Sequence, residues 1–137
     1  MLALRPFAST PQLLTAAREI WSRLDRGDYL EAFSHHPRIG ADLDELATRF
    51  ASTAGVSTRE QSGTSTADRA TLLALHTDNQ RYLERFGYIF IVCATGKSAT
   101  EMLELLHARL ANDPAEELPV AAEEQAKITA IRLSQLP

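Results

Sequence analysis

The chain has 137 residues, 45% of them hydrophobic and 23% charged. Those proportions fit a single soluble globular domain over residues 1–137 and exclude a second independent core, a disordered chain and a fibrous class. Fourteen Lys and Arg against eighteen Asp and Glu give a net charge of -4, with the signs interspersed, which argues against nucleic acid as a partner.

Cys93 is the single cysteine, so an intrachain disulfide and a cysteine-based zinc cluster are both ruled out and a reducing compartment is expected. The longest apolar run, residues 88–94, is too short to cross a bilayer, and the amino end lacks the pattern of a signal peptide. No membrane partner and a cytoplasmic location are the expectation.

In chain order, Thr10-Pro11 opens a first helix, because a proline in the first turn lacks only an N–H that would have no helical partner. Leu13, Leu14, Ala17, Ile20, Trp21 and Leu24 recur at helical spacing, and the helix is expected to end before Gly27. A short helix through Tyr29, Leu30 and Phe33 runs into His35-His36-Pro37-Arg38-Ile39-Gly40, where Pro37 turns His36 away from helical geometry. Leu43, Leu46, Ala47 and Phe50 predict a third helix. Ser57-Thr58-Arg59-Glu60 has capping-box spacing, and a short helix is expected there before a long one reaching Gly87.

Residues 88–94 are apolar enough for a strand, but no second strand candidate exists to pair with them, so they read as buried extended chain. Ser98 and Glu101 repeat the capping-box spacing ahead of a leucine-rich helix. Asp113-Pro114 opens the last helix, with a bend expected near Pro119. The fold class is therefore all-α: a compact multi-helix domain around one extended segment.

Several residues could carry chemistry, and each has a plain structural reading beside it. His36 stands at a helix break, where a near-neutral imidazole can be aimed into a pocket as a proton carrier; it is also an ordinary loop histidine. His35 and His36 are adjacent, which rarely presents both rings to one ion, and His76 and His107 fall on separate helices, so no metal site is expected. Ser57 and Glu60 are explained by the capping box, whereas Gln61 is not. Arg132 is either a solvated arginine or a planar fork gripping a carboxylate or ureide. Cys93, set in apolar sequence, reads as a buried, unreactive thiol.

Taken together, the motifs are more specific. Arg5-Pro6-Phe7, Tyr29-Leu30-Glu31-Ala32-Phe33, His36-Pro37-Arg38-Ile39-Gly40 and Ser57-Thr58-Arg59-Glu60-Gln61-Ser62-Gly63 come in that order. Asn79-Gln80-Arg81-Tyr82, Arg85-Phe86-Gly87 and Phe90-Ile91-Val92-Cys93-Ala94 follow. Arg109, Asn112, Glu116 or Glu117, Glu124-Gln125-Ala126-Lys127-Ile128 and Arg132-Leu133 complete the series. This order resembles the 2-oxo-4-hydroxy-4-carboxy-5-ureidoimidazoline (OHCU) decarboxylase family across nearly the whole chain, although members usually carry a longer stretch ahead of the Arg-Pro-Phe element.

The resemblance implies an all-α fold, a homodimer, and decarboxylation of OHCU to (S)-allantoin in urate breakdown with no metal or organic cofactor. By position it makes His36, Glu60 and Arg132 catalytic. Substrate would be bound by Pro37, Ser57, Thr58, Arg59, Gln61, Phe90, Ile91, Val92, Cys93 and Ala94. The reading from another class is a small helical ligand-binding or protein-interaction module, in which His36, Glu60 and Arg132 need not converge on one cavity.

Overall fold

A computed structural model of the chain describes residues 1–36 and 65–136. The helix expected over Leu43 to Phe50, the turn from Pro37 to Gly40 and the capping box at Ser57 lie outside them. Among the described residues the architecture is five α-helices and no strand.

Helix α1 spans Thr10–Ser22, with the Ser9 hydroxyl accepting from the Gln12 N–H at 3.3 Å and Pro11 in the first turn. Helix α2 spans Arg26–Ser34 and opens on a reciprocal cap between Asp25 and Asp28. Helix α1 thus ends before Gly27, as expected, and the two acids three residues apart set the start of α2, with Gly27 in its first turn. Helix α3, Ser65–Phe86, stops at Gly87, whose φ of +81° suits a residue without a Cβ.

Helix α4, Ala99–Leu110, starts on the expected cap, with Ser98 and Glu101 bonding each other's backbone N–H. Helix α5, Pro114–Ser134, follows Asp113 and runs without interruption through Pro119. Helix α3 packs along α4, and α1 along α5. The α1 contact is fixed by the Trp21 indole N–H donating to the Ala122 carbonyl at 2.9 Å. Tyr29 joins α2 to the same corner, donating to the Trp21 carbonyl at 3.0 Å with the two rings 4.8 Å apart.

The extended segment between α3 and α4 is core. Tyr88, Phe90, Ile91, Val92 and Cys93 are each 7% exposed or less, and the Tyr82 ring lies 5.9 Å from Tyr88 and 5.3 Å from Phe90. A buried strand-like backbone with no sheet beside it needs partners for its N–H and C=O groups, and here charged side chains supply them. Arg109 donates to the Ile91 carbonyl at 2.5 Å, Glu124 accepts the Cys93 N–H at 3.4 Å, and Lys97 donates to the Cys93 carbonyl at 2.7 Å.

Behind the segment, Arg109 and Glu117 form a buried ion pair whose remaining bonding capacity is also used. The Arg109 Nε–H donates to Glu117 at 2.7 Å, Asn112 donates to the other carboxylate oxygen at 2.9 Å, and the Tyr82 hydroxyl donates to Glu117. The guanidinium also lies 4.6 Å from the centre of the Phe90 ring. Burial, followed by the bond to Glu117, pushes the Tyr82 hydroxyl well above its ordinary pKa, so it is held as a donor. Asp78, also buried, takes His107 at 2.5 Å and Arg81 at 3.3 Å, tying α3 to α4.

Candidate active site

His36 is the second residue past α2, and its backbone N–H still bonds the Phe33 carbonyl at 3.1 Å. Phe33 is buried and packs on Tyr88 with ring centres 5.3 Å apart, so one contact sets the end of α2 against the start of the extended segment. The other end of that segment is tied to α5 through Cys93 and Glu124. A core contact at Tyr88 and a hydrogen bond at Cys93 thus tie the end of α2, the extended segment and α5 together.

Its imidazole is half-buried, and three influences act on it. Burial is the largest and lowers its pKa below the ordinary 6.5; the Gln125 side chain, as a hydrogen-bond partner, works the other way; the positive charge of Arg132 lowers it further. A ring held neutral near pH 7 can accept a proton, the capacity a general base requires.

The structure therefore brings His36 and Arg132 into one neighbourhood. Phe90, Ile91, Val92 and Cys93 belong to the buried extended segment already described, and Ala94 lies at its less buried end. Glu60, Pro37, Ser57, Thr58, Arg59 and Gln61 lie outside the described residues. His35 caps α2 and is exposed, and His107 is engaged with Asp78. The Cys93 thiol is buried.

Glu124 and Gln125 face this region from α5, Glu124 through the Cys93 N–H, although spacing singled out neither as a site residue. The signals for Gln125 were its place in the Glu124–Ile128 run of the resemblance and its position seven residues before Arg132, two turns along one helix face. Glu124 is held by Lys127 at 2.7 Å, and that bond, followed by the carboxylate's charge, raises the lysine pKa.

A cavity of about 460 Å³ opens between α1 and α5, lined largely by apolar side chains including Leu14, Ile20, Trp21, Ala126 and Leu133. It holds none of His36, Gln125 and Arg132, so its shape carries no chemistry of theirs. Among the described residues, no three His, Cys, Asp or Glu side chains group as metal ligands, and no helix is long and apolar enough to cross a membrane.

The chain is similar to known proteins over almost its full length. The uric acid degradation bifunctional protein TTL of Arabidopsis thaliana is 40% identical over 134 residues, which are 96% of this chain and 40% of that protein. The 2-oxo-4-hydroxy-4-carboxy-5-ureidoimidazoline decarboxylase of Amia calva is 33% identical over 133 residues, 96% of this chain and 74% of that one. The chain thus spans less than half of the plant bifunctional protein and most of the Amia calva enzyme. A crystal structure of OHCU decarboxylase in the presence of (S)-allantoin superposes with a TM-score of 0.75 at 35% identity, covering 97% of this chain and 84% of that one. With the OHCU decarboxylase family profile matching residues 1–134, the chain belongs to that family.

Proposed function

We propose that the protein decarboxylates OHCU to (S)-allantoin in urate degradation, and that it does so without a metal or organic cofactor. The observation that supports the reading is that His36, at the end of α2, lies within reach of the positive charge of Arg132 on α5, although the two are far apart in sequence. A helical interaction module has no need to bring those two residues together.

The substrate has a hydroxyl and a carboxylate on C4, beside a C5=N bond. When the C4–carboxylate bond breaks, its electron pair forms C4=C5 while the C5=N π pair moves to nitrogen, which takes a proton. The enol that results becomes the C4 ketone as C5 gains hydrogen. The substrate thus contains its own electron sink, which is why no pyridoxal or thiamine is required.

His36 hydrogen-bonds the C4 hydroxyl or carboxylate and moves its proton as the bond breaks, a role worth typically ~10² to 10⁴ in rate. Arg132 grips substrate carbonyl or ureide oxygens, a task suited to a planar fork. Glu60 takes the N–H groups, Ser57 and Gln61 fix the remaining polar atoms, and main chain around residues 91–93 adds further bonds. The same reading includes a homodimer in the cytoplasm.

The test is to supply freshly generated OHCU with chelator present and follow allantoin chirality by circular dichroism. Dextrorotatory product formed faster than background is expected. Racemate at the spontaneous rate, from folded protein, overturns the proposal.

A further inference from the structure

Both main-chain polar groups of Cys93 are held by charged side chains, and the two come from different parts of the fold. The N–H donates to Glu124 Oε1 on α5 at 3.4 Å. The carbonyl accepts from the Lys97 ammonium at 2.7 Å. Lys97 reaches back because Ala94 to Lys97 is a tight turn, closed by the Lys97 N–H on the Ala94 carbonyl at 3.1 Å. Gly96, at φ +74°, takes the third position of that turn, where a side chain would be strained.

Glu124 is 9% exposed, and a carboxylate withdrawn that far from water is unfavourable unless it is paired. Lys127, three residues along α5, supplies the pair at 2.7 Å through Oε2, which leaves Oε1 for the Cys93 N–H. One oxygen thus faces a cation on its own helix and the other faces the extended segment. A neutral side chain would accept one main-chain N–H at a smaller desolvation cost, but an ionised acceptor makes the stronger bond. The segment has no neighbouring strand to fix its position. Among the described residues, the bonds from Glu124, Lys97 and Arg109 are the side-chain hydrogen bonds that hold its backbone.

We infer that Glu124 and Lys97 are positioning residues for substrate binding: they clamp the Cys93 main chain from two sides and so set the stretch from Phe90 to Ala94 against the substrate. The consequence for substrate rests on the function proposed above, in which main chain around residues 91–93 bonds it. Bonds to substrate atoms that do not react act in the ground state and the transition state alike, so a loosened clamp shows chiefly in KM. Loss of His36, by contrast, falls on kcat.

The test uses the full chain with Glu124→Leu, which removes the acceptor, Glu124→Gln, which keeps an acceptor without charge, and Lys97→Met, which keeps the stem and removes the donor. Glu124→Leu is expected to raise KM for OHCU about tenfold with kcat changed by less than about threefold, and Lys97→Met to raise KM to a smaller degree. Glu124→Gln should recover most of the lost affinity. A contact with a structural role alone would lower the melting temperature and leave the KM of the folded protein at its wild-type value.

Amide NMR supplies a readout without substrate. The Cys93 N–H should move upfield and exchange faster with solvent in Glu124→Leu, and return toward its wild-type position in Glu124→Gln. Wild-type KM in folded Lys97→Met or in folded Glu124→Leu overturns the inference, as does an unchanged Cys93 amide in Glu124→Leu. Wild-type protein that leaves OHCU untouched while the Cys93 amide responds as expected would instead place the fault in the proposed reaction.

Discussion

Two polar clusters, around Glu117 and around His36, are built to opposite standards. Around Glu117 the accounting is closed: Arg109, Asn112 and Tyr82 all donate to its carboxylate, and Arg109 also reaches the Ile91 carbonyl. Around His36 it is open. The ring is half-buried, Gln125 has an acceptor to spare, and Arg132 is exposed. In a closed network at low dielectric each bond reinforces the others and the geometry has one solution. An open one leaves capacity for a ligand. Both polar clusters are buried at least in part; the satisfied one supports structure, and the unsatisfied one is where chemistry is to be sought.

That contrast is most strongly tested at the closed cluster. Arg109→Met leaves the Glu117 carboxylate buried without its cation and takes a donor from the Ile91 carbonyl, so denaturant unfolding should show a loss of about 3–5 kcal/mol. A loss below about 1 kcal/mol would mean that the segment is held by its aromatic packing alone. In the open cluster the effects should fall on turnover. His36→Asn should lower kcat by about 10² or more while the melting curve stays close to wild type.

The pH profile sharpens the same point. Because burial favours the neutral His36 ring, the acidic limb of kcat/KM should have its midpoint below 6.5. Stability has the matching sign: the folded protein binds fewer protons here than the unfolded chain. The contribution of His36 is therefore present above 6.5 and lost as pH falls through the lowered folded value. A midpoint above 6.5 would mean that another group sets the limb.

Smaller effects are expected from the residues at the margin. Arg132→Lys keeps the charge but not the fork, and should raise KM several-fold with a modest fall in kcat, read from steady-state kinetics. Cys93→Ser should keep turnover within about tenfold, and the wild-type thiol should react slowly with a bulky reagent because it is buried. Loss of activity in folded Cys93→Ser would move the thiol from the wall of the site into its chemistry.

Local signals were legible where one stretch of chain decides the outcome by itself. Pro11 and Pro114 mark helix starts, and the Ser98–Glu101 spacing closes a cap, because each satisfies neighbouring backbone groups. Residues 88–94 read as buried extended chain because an apolar run without a pairing partner has few other outcomes. The first helix ends before Gly27, as its spacing predicts, and the Asp25–Asp28 cap starts the next one.

For the site, the sequence by itself determined which side chains have suitable chemistry: an imidazole before a proline and an arginine near the end of the last helix. Which of them act together was decided by tertiary structure. Phe33 packing on Tyr88 carries His36 toward the extended segment, and the Glu124 bond to the Cys93 N–H sets the register of α5 against it. The charge of Arg132, on α5, acts on the imidazole through that packing and not through nearness in sequence. Helical spacing assigns a residue to a face of its own helix, but only packing between elements determines what that face meets.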